Sequence, residues 1–109
     1  MKRSPLPGRP VRGSTTGRPI MALLDLLGRR WCLRIMWELH RKPMTFRSLQ
    51  AACGDISPTI LNTRLLDLRE AGIVEAGADG FSLTAEGQRL VRELGGLQEW
   101  AERWARRKA

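Results

Sequence analysis

Between Ile56 and Gly72 the segment ISPTILNTRLLDLREAG gathers side chains suited to recognising a patterned polar surface. The amide of Asn62 offers a donor beside an acceptor, which matches the N6 and N7 edge of adenine in a major groove. Thr59 and Thr63 bring hydroxyls for phosphate or acceptor base edges, and methyls that suit thymine. Ser57 precedes Pro58, so its first task is to cap a helix, and a phosphate contact from it would be secondary. Arg64 has two readings of equal weight: a structural salt bridge with a nearby acid, or a phosphate contact. Upstream, Arg47, Arg41 and Lys42 are the natural phosphate clamps, against the plainer reading of a solvated basic face.

These residues need a helix to carry them. At about 100° per residue, Leu61, Leu65 and Leu68 fall on one side, and Thr59, Asn62, Thr63, Leu66 and Glu70 on the other. One stripe anchors and the other is presented. Gly72 is the expected terminator after about four turns. Phe46–Cys53, with Thr45 as its cap, supplies a shorter helix ahead of a turn at Gly54–Asp55, and together they read as a helix-turn-helix.

The flanks extend the pattern. Ile20–Leu27 is a short apolar helix broken by Gly28, and Trp31–His40 is a central one whose Trp31, Ile35, Met36 and Leu39 belong to the core. His40 reads as a half-exposed residue of a last helical turn. Met44–Thr45 could form a short strand. After Gly72, Ile73–Ala76 and Phe81–Leu83 form a hairpin around Ala78–Asp79–Gly80. Thr84 caps a long final helix, Ala85 to about Arg106, whose Leu90, Leu94, Leu97, Trp100 or Ala101, and Trp104 line one face. Gly95–Gly96 is expected to kink it. The fold class is therefore mainly α with a small β-hairpin, a winged helix-turn-helix.

Composition narrows the partners. The chain has 109 residues, a single small domain, and a formal charge of +8. Residues 1–19 hold five basic residues, no acid, four prolines and three glycines. Residues 1–18 are thus expected to be a flexible basic arm, solvated or lying along phosphates, ahead of a domain at 19–109. Such a charge balance favours nucleic acid first and an acidic surface second. With no long apolar run and no apolar stretch behind the basic N-terminus, a soluble cytoplasmic protein is expected, without membrane contact. Cys32 and Cys53 lack the company of a zinc site and read as core thiols. One histidine, no tyrosine and no phosphate loop or nucleophile elbow speak against an enzyme, and no metal or cofactor is expected.

Three blocks carry a closer resemblance. PIMALLDLLGRRW, TFRSLQAACGDISPTILNTRLLDLREAGIVE and FSLTAEGQRL, in this order, resemble the HxlR-type winged-helix transcriptional regulators of bacteria and archaea over about residues 18–105. The resemblance implies sequence-specific binding of double-stranded DNA by a homodimer on a palindromic operator, with residues 57–71 in the major groove. It also implies that first and last helices pack across the dimer, here through Ile20, Leu23, Leu24, Leu27, Leu94, Leu97, Trp100 and Trp104. The plainer reading is that these helices cover each other within one subunit. A small apolar effector at the seam, near Trp31, Trp37 or Trp100, is a further expectation.

Three features depart from the family pattern. The position of the cysteine that oxidant-sensing members carry before the first helix is Arg18 here. That leaves Cys32, which should be inert in the central helix, and the more accessible Cys53. The wing, Glu75 to Gly80, has two acids and no base, which phosphate would repel. Leu66 stands where a basic residue is usual, free to touch a thymine methyl, a sugar or a protein. These departures support an alternative: a degenerate winged-helix module that binds a co-regulator and holds DNA only nonspecifically.

Overall fold

The computed structural model describes residues 6–7 and 18–108, so the expected arm lies, apart from Leu6, Pro7 and Arg18, outside the described residues. Eight elements follow in order: α1 (Pro19–Leu27), α2 (Cys32–Leu39), α3 (Phe46–Ala52), α4 (Pro58–Glu70), β1 (Val74–Gly77), β2 (Gly80–Leu83), α5 (Ala85–Glu93) and α6 (Leu97–Lys108). The fold is a helical body with one antiparallel hairpin.

Local chemistry sets most boundaries. Thr45, Ser57 and Thr84 each accept a hydrogen bond from the backbone N–H three residues on, at 3.1, 3.1 and 3.0 Å. Each cap is worth about 1 kcal/mol relative to alanine. Between α3 and α4, Gly54 and Asp55 both take left-handed backbone, at φ 71° and 59°. Their N–H groups return to Ala51 and Gln50 carbonyls at 3.0 and 2.9 Å, which stops α3 and reverses the chain. The amide of Gln50 donates to the Ile56 carbonyl at 2.9 Å and fixes the far side of the turn.

The core lies where α2, α3, α4 and the hairpin meet. Cys32, Ile35, Met36 and Leu39 of α2 are buried with Leu49, Leu61, Leu65, Leu68, Val74 and Leu83. Trp31 is half-buried against that core, and it precedes α2, with φ 81°, rather than opening the helix. Cys53, expected to be the more accessible thiol, is 1% exposed because its helix end packs onto α2. Arg34 crosses from α2 to donate to the Ala52 carbonyl at 2.7 Å and closes that contact.

The hairpin pairs Val74 with Leu83 through to Gly77 with Gly80, leaving Ala78 and Asp79 as the turn. Gly80, expected in the turn, is a paired residue with φ 106°. A Cβ there would lie 2.4 Å from the Met44 carbonyl oxygen. That crowding arises because Met44 joins the hairpin as a third rung, exchanging two backbone bonds with Phe81 at 2.9 and 2.7 Å.

The long final helix is two helices. After Glu93 the chain turns through Leu94, Gly95 and Gly96, and α6 restarts at Leu97. Leu90, Val91 and Leu94 pack on the core, whereas none of the described side chains of α6 is buried. The glycine pair separates the segment that covers the core from the segment that does not.

Candidate nucleic-acid interface

Leu61, Leu65 and Leu68 seat α4 on the core, each 2% exposed or less. The opposite face is open: Thr59, Asn62, Thr63, Leu66 and Glu70 are all exposed, as is the capping Ser57. Leu66, at 53%, is among the most exposed large apolar side chains. The Thr63 hydroxyl donates back to the Thr59 carbonyl at 2.9 Å. Outward, Thr63 therefore keeps acceptor lone pairs and a methyl.

Arg64 takes the structural one of its two expected roles. Its Nε donates to the Arg30 carbonyl at 2.9 Å and its Nη1 to the Asp67 carboxylate at 3.1 Å. Arg29 reaches the same Asp67 oxygen at 3.1 Å and lies 3.7 Å from Asp25 of α1. Asp67 is the one buried charged residue among those described, and two guanidiniums compensate it. The cluster bolts α4 to the α1–α2 corner. The sequence showed Arg64 and an acid nearby, but nothing in its periodicity linked Asp67 to Arg29, 38 positions away.

Arg41 and Lys42 in the α2–α3 loop and Arg47 on α3 are exposed. None makes an ion pair within the described residues, so their charge is free for a polyanion. The wing presents Glu75 and Asp79 to solvent without a compensating base between them.

A second exposed surface is apolar. Ile20 and Leu24 on α1, and Leu97, Trp100 and Trp104 on α6, are each more than half exposed. Trp100 and Trp104 stack with centroids 5.7 Å apart. Leu23, Leu27 and Leu94 are half-buried, with Leu27 and Leu94 packed on the chain's own core. The two helices do not cover each other within one chain.

Of the tryptophans considered for an effector, Trp31 lines a shallow depression of about 320 Å³ with Leu27, Arg29, Arg30, Leu33 and Arg34. The Arg30 guanidinium sits 5.5 Å above the Trp31 ring. Trp37 packs instead on His40, which occupies the end of α2 and meets the Trp37 carbonyl. Burial pushes the Cys32 thiol up to about 11, outweighing the nearby Arg64 charge. Burial raises the Cys53 thiol as well, against the pull of Arg34.

An exposed helix carried by a helix-turn-helix, a hairpin beside it and basic residues on its flank match one known pattern. The HxlR-like helix-turn-helix family model covers residues 26–109. The chain belongs to the HxlR-like helix-turn-helix family. Among relatives, the HTH-type transcriptional regulator YvaP of Bacillus subtilis (strain 168) is 30% identical over 88 residues, 74% of this chain and 82% of that protein. The quinone-bound structure of YodB from B. subtilis superposes with a TM-score of 0.71 at 30% identity, covering 77% of this chain and 96% of that one. A possible HxlR family transcriptional factor from Thermoplasma volcanium GSS1 gives 0.68 at 28% identity, over 77% and 82%. A MarR-family regulator from Enterococcus faecalis V583 gives 0.70 at 28% identity, over 83% and 88%.

Membership makes this HxlR-like chain a DNA-binding transcriptional regulator of a family of regulators rather than enzymes. The fold is that of winged-helix regulators, and none of the helices described is long and apolar enough to cross a membrane.

Proposed function

We propose that the protein is a sequence-specific, cytoplasmic transcriptional regulator that binds a palindromic operator in double-stranded DNA as a homodimer, with α4 in each major groove. The observation that carries this reading is the division of α4 into a leucine face locked on the core and an open face bearing Thr59, Asn62 and Thr63. Asn62 reads an adenine edge, Thr59 reads a neighbouring base edge or phosphate, and Thr63 offers a base edge its methyl and acceptor lone pairs. Arg41, Lys42 and Arg47 hold the backbone, with Ser57 at the α4 N-terminus. Arg64 contributes by fixing α4 rather than by reaching DNA.

The dimer reading rests on the uncovered apolar faces of α1 and α6, whose large side chains are more than half exposed. Ile20, Leu24, Leu97, Trp100 and Trp104 form its centre, with Leu23, Leu27 and Leu94 at the margin. A small apolar effector at that seam is part of the same proposal. YodB has been solved with quinone bound. In the present chain Arg18 stands at the cysteine position of oxidant-sensing relatives, and both thiols are buried. Regulation by effector binding therefore fits better than thiol chemistry.

Binding-site selection from random double-stranded DNA tests the proposal directly. A selected sequence with two-fold symmetry and a binding constant that falls steeply with salt supports it. A second reading is favoured by the acidic wing, because Glu75 and Asp79 oppose phosphate. In that reading the protein is an interaction module for a co-regulator with only nonspecific DNA affinity, and selection would return no preferred sequence.

A further inference from the structure

We propose that Leu66 is a specificity residue of α4: its side chain packs on a thymine 5-methyl next to the base pair that Asn62 reads. The proposal deepens the base-reading role of α4 and rests on it. Thr59, Asn62, Thr63 and Leu66 are linked by three- and four-residue steps, which makes them neighbours on one helix face. Leu66 is 53% exposed there and takes no part in the core.

The N-terminal part of this face lacks the commonest means of reading guanine. That contact needs an arginine or lysine presented bidentately to O6 and N7. The first three turns of α4 contain one cation, Arg64, and it is held by the Arg30 carbonyl and Asp67. Arg69 lies in the last turn, whereas it is the N-terminal part of a recognition helix that meets base edges. Thr63 has spent its hydroxyl proton on the Thr59 carbonyl. What remains is one amide, the Thr59 hydroxyl and methyl, the Thr63 methyl with acceptor lone pairs, and a branched apolar side chain. An A·T pair displays the complement: the N6 and N7 edge of adenine and the methyl of thymine. The exposed leucine and the thymine methyl both leave water when they meet.

The test begins with a duplex of the sequence selected from random DNA. Its thymines are then replaced one at a time by uracil, which lacks only the 5-methyl, and binding is followed by fluorescence anisotropy. One uracil in one half-site is expected to weaken the wild-type protein about three- to fivefold, the worth of one buried methyl. In L66A that penalty disappears, whereas the penalty for replacing the A·T pair assigned to Asn62 remains. L66M, which keeps an apolar side chain, retains part of the uracil penalty. A wild-type protein that selects a sequence yet ignores every uracil overturns the Leu66 assignment alone. So does the survival in L66A of every uracil penalty seen with the wild type. A protein that selects no sequence overturns the base-reading role of α4 itself.

Discussion

Arg29, in the turn between α1 and α2, and Asp67, on the third turn of α4, meet at 3.1 Å, and Arg64 converges on the same carboxylate oxygen. Through Arg29 the contact extends to Asp25 of α1, and through Arg64 to the Arg30 carbonyl. The helix that presents Asn62 is thereby tied to the helix that presents Ile20 and Leu24. Removing the carboxylate charge leaves two guanidiniums crowded in a mostly buried site. Asp67→Asn is expected to destabilise the fold by about 2 kcal/mol, less than a fully buried pair because both arginines keep some water. Urea denaturation checks this. A midpoint unchanged from wild type would remove the cluster from the account of how α4 is held.

Asn62→Ala is expected to cost about 1–3 kcal/mol of DNA affinity and to relax preference at a single base pair. Arg47→Ala should instead weaken binding to every sequence alike and lower the salt slope by about 2, one phosphate contact from each subunit of the dimer. Anisotropy titrations of both variants on matched and mismatched duplexes separate the two roles. Uniform weakening by Asn62→Ala would contradict its assignment.

Much of this site is legible in the amino-acid sequence. Serine, proline and a leucine repeat mark α4, and Thr59, Asn62 and Thr63, which fall opposite the leucines, are exposed. Arg64 and Asp67 are three residues apart, so their pairing lies within reach of helical periodicity. The partnership with Arg29 does not, because pairing across 38 positions is decided by how α1 and α2 pack. The final helix misleads for a similar reason. Leu90, Leu94, Leu97 and Trp104 keep one helical period, yet the first two cover the core and the last two do not. Periodicity reports a face and is silent on what covers it.

The close approach of α5 to the hairpin makes Gly87 a sharper probe than its neighbours. A Cβ there would lie 2.2 Å from the Ile73 carbonyl oxygen, so Gly87→Ala is expected to cost about 2 kcal/mol or more in stability. A Cβ at Gly96 would meet nothing within 4 Å, so alanine there should bring little change or a small gain. Thermal melts of the two variants are the measurement, and equal effects would contradict the packing described.

Both cysteines should resist thiol reagents at pH 8 in the folded protein and react fully in denaturant. Burial raises both thiols, and Cys32 reaches about 11 against an ordinary 9.0. The folded state therefore binds the Cys32 proton more tightly than the unfolded chain does. The associated stability, on the order of 2–3 kcal/mol, is present in full below pH 9 and is lost as pH rises towards 11. Denaturation of wild type and Cys32→Ala across that range checks the sign: the wild type should lose stability more steeply with rising pH.

Leu97→Glu and Trp104→Glu place charge on a surface that is outside the single-chain core. Each is expected to give a folded monomer by light scattering, with the melting of the helical body preserved at low protein concentration. A dimer persisting in both variants would exclude α6 from the subunit contact.

The Gly95–Gly96 joint has a consequence for how the end of the chain acquires its shape. α6 is a twelve-residue segment with no buried side chain among those described, and a helix that short is marginal alone in water. In the proposed dimer its order comes from the partner that packs against Trp100 and Trp104. Dilution is therefore expected to fray this segment first, lowering ellipticity at 222 nm while the helical body stays intact, so that the C-terminal turns act as a gauge of association itself.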